Sequence, residues 1–154
     1  MWSDLDITLY STAANTLESL GFMFTGLVTT YEQLAAPPHL SAGVHFEGPF
    51  EGSVYITLCG EVLKQVTCNM LGEGAPPTDA DQRDALGELA NVICGNLLPQ
   101  IGGKEAMFQV NTPFILGDHN IQGRLGKPVA QAEVGLEAGR AEIALYISKD
   151  DRSN

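Results

Sequence analysis

The stretch DALGELANVICGNLLP, residues 84–99, constrains the fold more than any other part of the chain. At about 100° per residue, Leu86, Leu89, Ala90, Ile93 and Leu97 fall in one arc, an apolar stripe wide enough to seat a helix on a core. The spacing predicts a helix that begins after Thr78, whose side chain caps it, with Asp79 and Asp81 in the first turn at the positive end of the dipole. It is expected to run to about Leu98 and to be terminated by Pro99, which lacks a backbone N–H.

What this helix rests on is written in the strands. VHFEGPFEGSVYITLCG reads as a strand, a turn around Gly48, Pro49 and Gly52, and a second strand centred on Val54 to Leu58. Near the C-terminal end Val134 and Leu136 alternate with polar or small residues, as do Ile143, Leu145 and Ile147, predicting two strands joined at Glu137 to Gly139. AMFQVNTPFILG looks extended. FMFTGLVTTYE has the β-branched and aromatic enrichment of a strand, and the paired prolines of AAPPHLSAG are expected to break any regular element.

Two further helices complete the pattern. Ile7, Tyr10, Ala13, Ala14, Leu17 and Leu20 recur at steps of three and four, with Ser3 or Asp4 as cap and Gly21 as stop. Val62, Val66 and Met70 mark a shorter one ending on Gly72, followed by a loop in EGAPPTDADQ. The order helix, strands, helix, helix, strands segregates helices from an antiparallel-rich sheet, which argues for an α+β layer structure with long helices packed on the sheet. At 154 residues the chain has the length of one ordinary domain, read as 1–154, with KDDRSN as a solvated tail.

Charge and cysteines exclude several function classes. Eight basic against nineteen acidic residues give a formal charge of −11, a field that repels phosphate backbones and anionic lipid. Nucleic acid and membrane surfaces are therefore not expected partners. Cys59, Cys68 and Cys94 form no C-x-x-C pair and suit a reducing compartment. With no basic leader and no apolar run long enough to span a bilayer, a cytoplasmic protein is expected.

On the far side of the 84–99 helix, Asp84, Glu88, Asn91 and Gly95 project within a wedge of roughly 60°. A solvated face would also be acidic. The glycine and the asparagine need another reason, because glycine costs about 1 kcal/mol relative to alanine inside a helix. Gly95 leaves the backbone bare for something bulky to approach, and Asn91 offers an amide that both donates and accepts. Cys94, at the edge of this strip, reads as a packed residue rather than a nucleophile. His45 and Glu47 alternate on a strand, yet two ligands without a third are weak evidence for a metal. Gly103-Lys104 and Gly126-Lys127 lack the rest of a phosphate-binding loop. Asp118, His119 and Asn120 suit a turn.

Asp84, Glu88-x-x-Asn91 and the following Gly95 and Asn96 resemble the D/S-x-x-x-E-x-x-N helix of the CheC, CheX and FliY family of chemotaxis phosphatases. TLESLGF, EGSVYITLCGEVLKQVTCNMLGE, NTPFILG with Pro113 and AEIALYI continue the resemblance over most of the chain. The first helix has STAANTLESL and no ExxN, which looks like the one-site CheX pattern. This resemblance implies hydrolysis of the aspartyl phosphate of a CheY-type response regulator, the receiver bringing Mg2+ and the chain needing no cofactor of its own. It further implies that Asn91 positions the attacking water, that Glu88 pairs with the receiver's lysine, that Asp84 and Gly95 contact the partner, and that the protein is a homodimer. A non-catalytic module that sequesters the phosphorylated regulator is the alternative on the same fold. The break at Pro99 departs from related helices, which run further.

Overall fold

Ser3 opens the first helix through a capping box: its hydroxyl accepts from the Asp6 N–H at 3.1 Å while the Asp6 carboxylate accepts from the Ser3 N–H at 3.1 Å. The computed structural model describes residues 2–72, 74, 76–117 and 121–148, and α1 spans Asp4–Ser19. A short α2 follows at Tyr31–Ala35, then β1 (Pro38–Glu47), β2 (Gly52–Gly60) and α3 (Val62–Leu71). The long α4 occupies Asp79–Gly102, followed by β3 (Gln109–Val110), β4 (Phe114–Leu116), α5 (Ile121–Leu125), β5 (Ala130–Leu136) and β6 (Gly139–Ile147). KDDRSN and the turn expected at Asp118 to Asn120 lie outside the described residues.

The strands form one antiparallel six-stranded sheet in the order β3-β1-β2-β6-β5, with β4 also pairing to β1. Alternation sends Ala42, Val44 and Phe46 of β1, Val54, Ile56 and Leu58 of β2, and Ile143 and Leu145 of β6 into the core. There they meet Leu9, Ala13 and Leu17 of α1 and Leu86, Leu89, Ile93 and Leu97 of α4. The expected α+β layering, long helices on an antiparallel sheet, is what the chain adopts.

Three local expectations need correction. FMFTGLVTTYE is not a strand: it makes a single bridge from Gly26 to Gly135, and its last residues enter α2. The edge of β5 offers it little room. The Gln131 N–H already donates to Asp6 Oδ1 at 2.9 Å, and Gly135 tolerates the bridge only because it has no Cβ, which would sit 2.3 Å from the Leu27 carbonyl oxygen. The AAPPHLSAG segment is regular on both sides of its prolines, with α2 ending at Ala35 and β1 beginning at Pro38, where a proline at the start of a strand is tolerated. The Arg140 guanidinium secures α2 by donating to the carbonyls of Gln33, Leu34 and Ala36 at 2.8–2.9 Å.

Pro99 does not terminate α4. The helix continues to Gly102, because tertiary contacts hold the last turn. Leu97 and Leu98 are buried and Ile101 packs on the core. Gln100 Nε2 donates to Thr12 Oγ1 of α1 and to the Asn96 carbonyl, both at 2.9 Å. The end comes at Gly103, with φ +91°, a conformation that favours glycine.

Candidate functional site

Thr78 and Asp81 close another capping box, their side chains exchanging hydrogen bonds with each other's N–H at 3.0 and 2.9 Å, so the start of α4 is set before the strip begins. Packing then sets its rotation. Leu86, Leu89, Ala90, Ile93 and Leu97 are each 0% exposed, which leaves no freedom in which side faces water. Asp84, Glu88, Asn91 and Gly95 are all exposed, as is Asn96. The structure thus brings together on one strip the four residues singled out in the sequence.

Among the described residues, neither Glu88 nor Asn91 has a side-chain hydrogen bond or ion pair. This is informative, since an asparagine inside a helix commonly satisfies itself on neighbouring backbone. At i and i+3 their Cβ atoms are about 5–6 Å apart, close enough for one small group to contact both. Around Gly95 an added Cβ would meet nothing within 4 Å, so the bare backbone is not a packing requirement of this chain. The carboxylate, the carboxamide and the open backbone form a surface able to pair with a cation, to orient a water molecule and to accept close approach. A proton-abstracting base is not what such an arrangement suggests.

Pro113 is a neighbour that sequence spacing did not place. Its ring lies 3.7 Å from where a Gly87 Cβ would stand, in ordinary contact, so the loop before β4 flanks the strip one residue from Glu88. The Asn111 N–H anchors that loop by donating to the His45 carbonyl at 2.9 Å. Only a long-range contact reveals it, and local periodicity carries none.

The other candidates lie elsewhere. Cys94 is 0% exposed and burial pushes its thiol up to about 12, which removes it as a nucleophile near neutral pH. Burial likewise raises Cys59, to about 11. His45 points to the sheet face opposite α4, where Nδ1 bonds the Ser53 hydroxyl and the ring tilts against Phe114 at 5.0 Å. Among the described residues no group of three or more His, Cys, Asp or Glu side chains could hold a metal ion, and no helix is long and apolar enough to cross a membrane.

Comparison with known proteins places this geometry. The family model described as chemotaxis phosphatase CheX matches residues 40–134, which take in most of β1 and the whole of β2, α3 and α4. Among solved structures, chemotaxis protein CheX from Vibrio vulnificus superposes with a TM-score of 0.72 at 18% identity, covering 95% of this chain and 97% of that one. CheX from Desulfovibrio desulfuricans gives 0.68 at 19% identity, covering 95% and 100%. CheX in the CheX-CheY-BeF3-Mg2+ complex from Borrelia burgdorferi gives 0.65 at 18%, covering 95% and 99%. A search of the curated proteins found no significant match. The fold is shared by all three structures, and the family model spans the helix that carries the strip: the chain belongs to the chemotaxis phosphatase family CheX.

Proposed function

We propose that the protein hydrolyses the aspartyl phosphate of a CheY-type receiver domain, with the α4 strip as the surface that enters the receiver's phosphorylated pocket. The observation that carries this reading is an exposed carboxylate and an exposed carboxamide, one helical turn apart, with no side-chain partners among the described residues of their own chain. Support comes also from the Borrelia burgdorferi relative of the same fold, whose structure is a complex with CheY, BeF3 and Mg2+.

Glu88 pairs with the receiver's lysine and fixes the register of α4. Asn91 then holds a water in line with the phosphorus through its amide. The water oxygen bonds to phosphorus as the bond from phosphorus to the aspartyl oxygen breaks, leaving inorganic phosphate and a free aspartate carboxylate. The water's protons end on phosphate and solvent. Phosphoryl transfer through a loose transition state needs little proton abstraction, so placement of the nucleophile can be the main contribution. Mg2+ in this reading is the receiver's and neutralises charge on the phosphoryl oxygens. Asp84 and Gly95 border the contact.

The test is phosphate release from phosphorylated CheY-type receivers, timed for wild type and two variants. Asn91→Ala is expected to lower the rate about 100-fold or more while binding survives. Glu88→Ala is expected to weaken binding and rate together. Tight wild-type binding with an unchanged phosphoryl lifetime would replace the enzyme by a sequestering module.

A further inference from the structure

The face of the sheet turned away from α1 and α4 holds a cavity of about 460 Å3, lined by β2, β5, β6 and the start of α5. Strand alternation builds its floor: Ala144 of β6 lies between Tyr55 of β2 and Gln131 of β5, and Glu142 lies between Thr57 and Glu133. The short Ala144 side chain leaves a hollow among longer ones. The rings of Tyr55 and Tyr146 meet edge to face at 5.7 Å and form an aromatic wall, and Trp2 adds another ring to the lining. Two hydrogen bonds tie α5 and the residue after it to this floor. Gln122 Nε2 donates to Gln131 Oε1 at 3.0 Å, and the Tyr146 hydroxyl donates to the Gly126 carbonyl at 2.9 Å.

Two carboxylates face each other across the strands of this cavity, since Glu133 and Glu142 are direct partners in the register of β5 and β6. Like charges so placed destabilise a sheet. Glu142 is answered by Arg140, whose Nε and Nη2 donate to it at 3.2 and 3.0 Å, while Nη1 is taken by the carbonyls that secure α2. Among the described residues Glu133 has no side-chain hydrogen bond or ion pair. The fold therefore carries one more negative charge here than it balances. We infer that the cavity binds a small organic cation, an amine whose ammonium group pairs with Glu133 beside Glu142 and whose apolar body lies against Tyr55 and Tyr146. Aromatic rings attract cations as well as burying apolar surface, and the volume is that of small-molecule sites fixed by a few charged groups. The formal charge of −11 works in the same direction, drawing cations and repelling anions. The cavity and the α4 strip lie on opposite faces of the sheet, so this inference stands apart from the proposed phosphatase reaction.

Calorimetric titration of the full chain with tyramine and with hexylamine tests the site, with 4-ethylphenol as the neutral control and 3-(4-hydroxyphenyl)propionate as the anionic one. Wild type is expected to bind the amines and neither control at the same concentrations. Glu133→Gln keeps the shape of the cavity and removes the unbalanced charge, so amine affinity should fall about tenfold while the melting temperature of the ligand-free protein rises. Ala144→Leu fills the hollow and should abolish binding, with the fold checked by circular dichroism. Failure of wild type to bind either amine at millimolar concentration would overturn the inference. So would 4-ethylphenol binding as tightly as tyramine, or an amine affinity unchanged in Glu133→Gln.

Discussion

Helices α1 and α4 lie side by side on the same face of one sheet, each opened by a capping box and each burying an apolar stripe, yet their outer faces differ in kind. On α1 the hydroxyls turn back on the helix: those of half-buried Thr8, buried Thr12 and Thr16 and exposed Ser19 each donate to the carbonyl four residues earlier, at 2.8–3.0 Å. On α4 the exposed carboxylate of Glu88 and amide of Asn91 turn to nothing in the described chain. Each helix has an exposed asparagine, Asn15 and Asn91, and the residue three positions earlier separates them. It is a buried threonine on α1 and an exposed glutamate on α4. Two helices can thus serve the same core while only α4 sets an exposed glutamate one turn before its exposed asparagine, so packing and function are read from opposite faces.

The largest effects should ignore the difference between the helices. Leu9→Ala on α1 and Leu89→Ala on α4 remove fully buried side chains, and each is expected to cost about 2–5 kcal/mol by denaturant unfolding. A much smaller loss at Leu89 would mean that α4 is held by something other than its stripe. Gly95→Ala should separate stability from docking. With no neighbour for the new methyl, the helix gains about 1 kcal/mol while the receiver, meeting that methyl, binds less tightly. The smallest effect is a pH dependence at the start of α1. Hydrogen bonds from the Gln131 and Ser3 N–H groups hold the Asp6 carboxyl below its ordinary range. A carboxyl depressed by folding adds stability above its unfolded value of about 4, and loses it as pH falls through the folded value. Asp6→Asn should therefore flatten the acid limb of the stability curve without changing phosphatase activity.

The inner faces of both helices were legible because burial imposes a period of 3.6 that no other requirement disturbs. Strands β5 and β6 were legible through a period of two, and β1 and β2, the latter buried on both faces, through their apolar runs on either side of the Gly48 to Gly52 turn. Segment 22–35 was not. Its β-rich composition describes a preference, whereas strand formation needs an edge, and Asp6 had already closed part of the edge of β5. Pro99 misled in the opposite sense, since a local helix breaker was overruled by Leu98, Gln100 and Ile101, which tie the last turn to the core and to α1. Of the strip, exposure followed from the period alone. The place of Pro113 beside it did not, because that contact joins residues far apart in the chain.

Phosphate release from one phosphorylated CheY-type receiver, timed with wild type, Asn15→Ala and Asn91→Ala at equal concentration, tests the central claim most directly. Removing the α1 asparagine should leave the wild-type rate intact, and removing the α4 asparagine should return the receiver to its unassisted rate with folding and binding preserved. Equal acceleration by all three proteins would contradict the assignment of the reaction to the α4 strip.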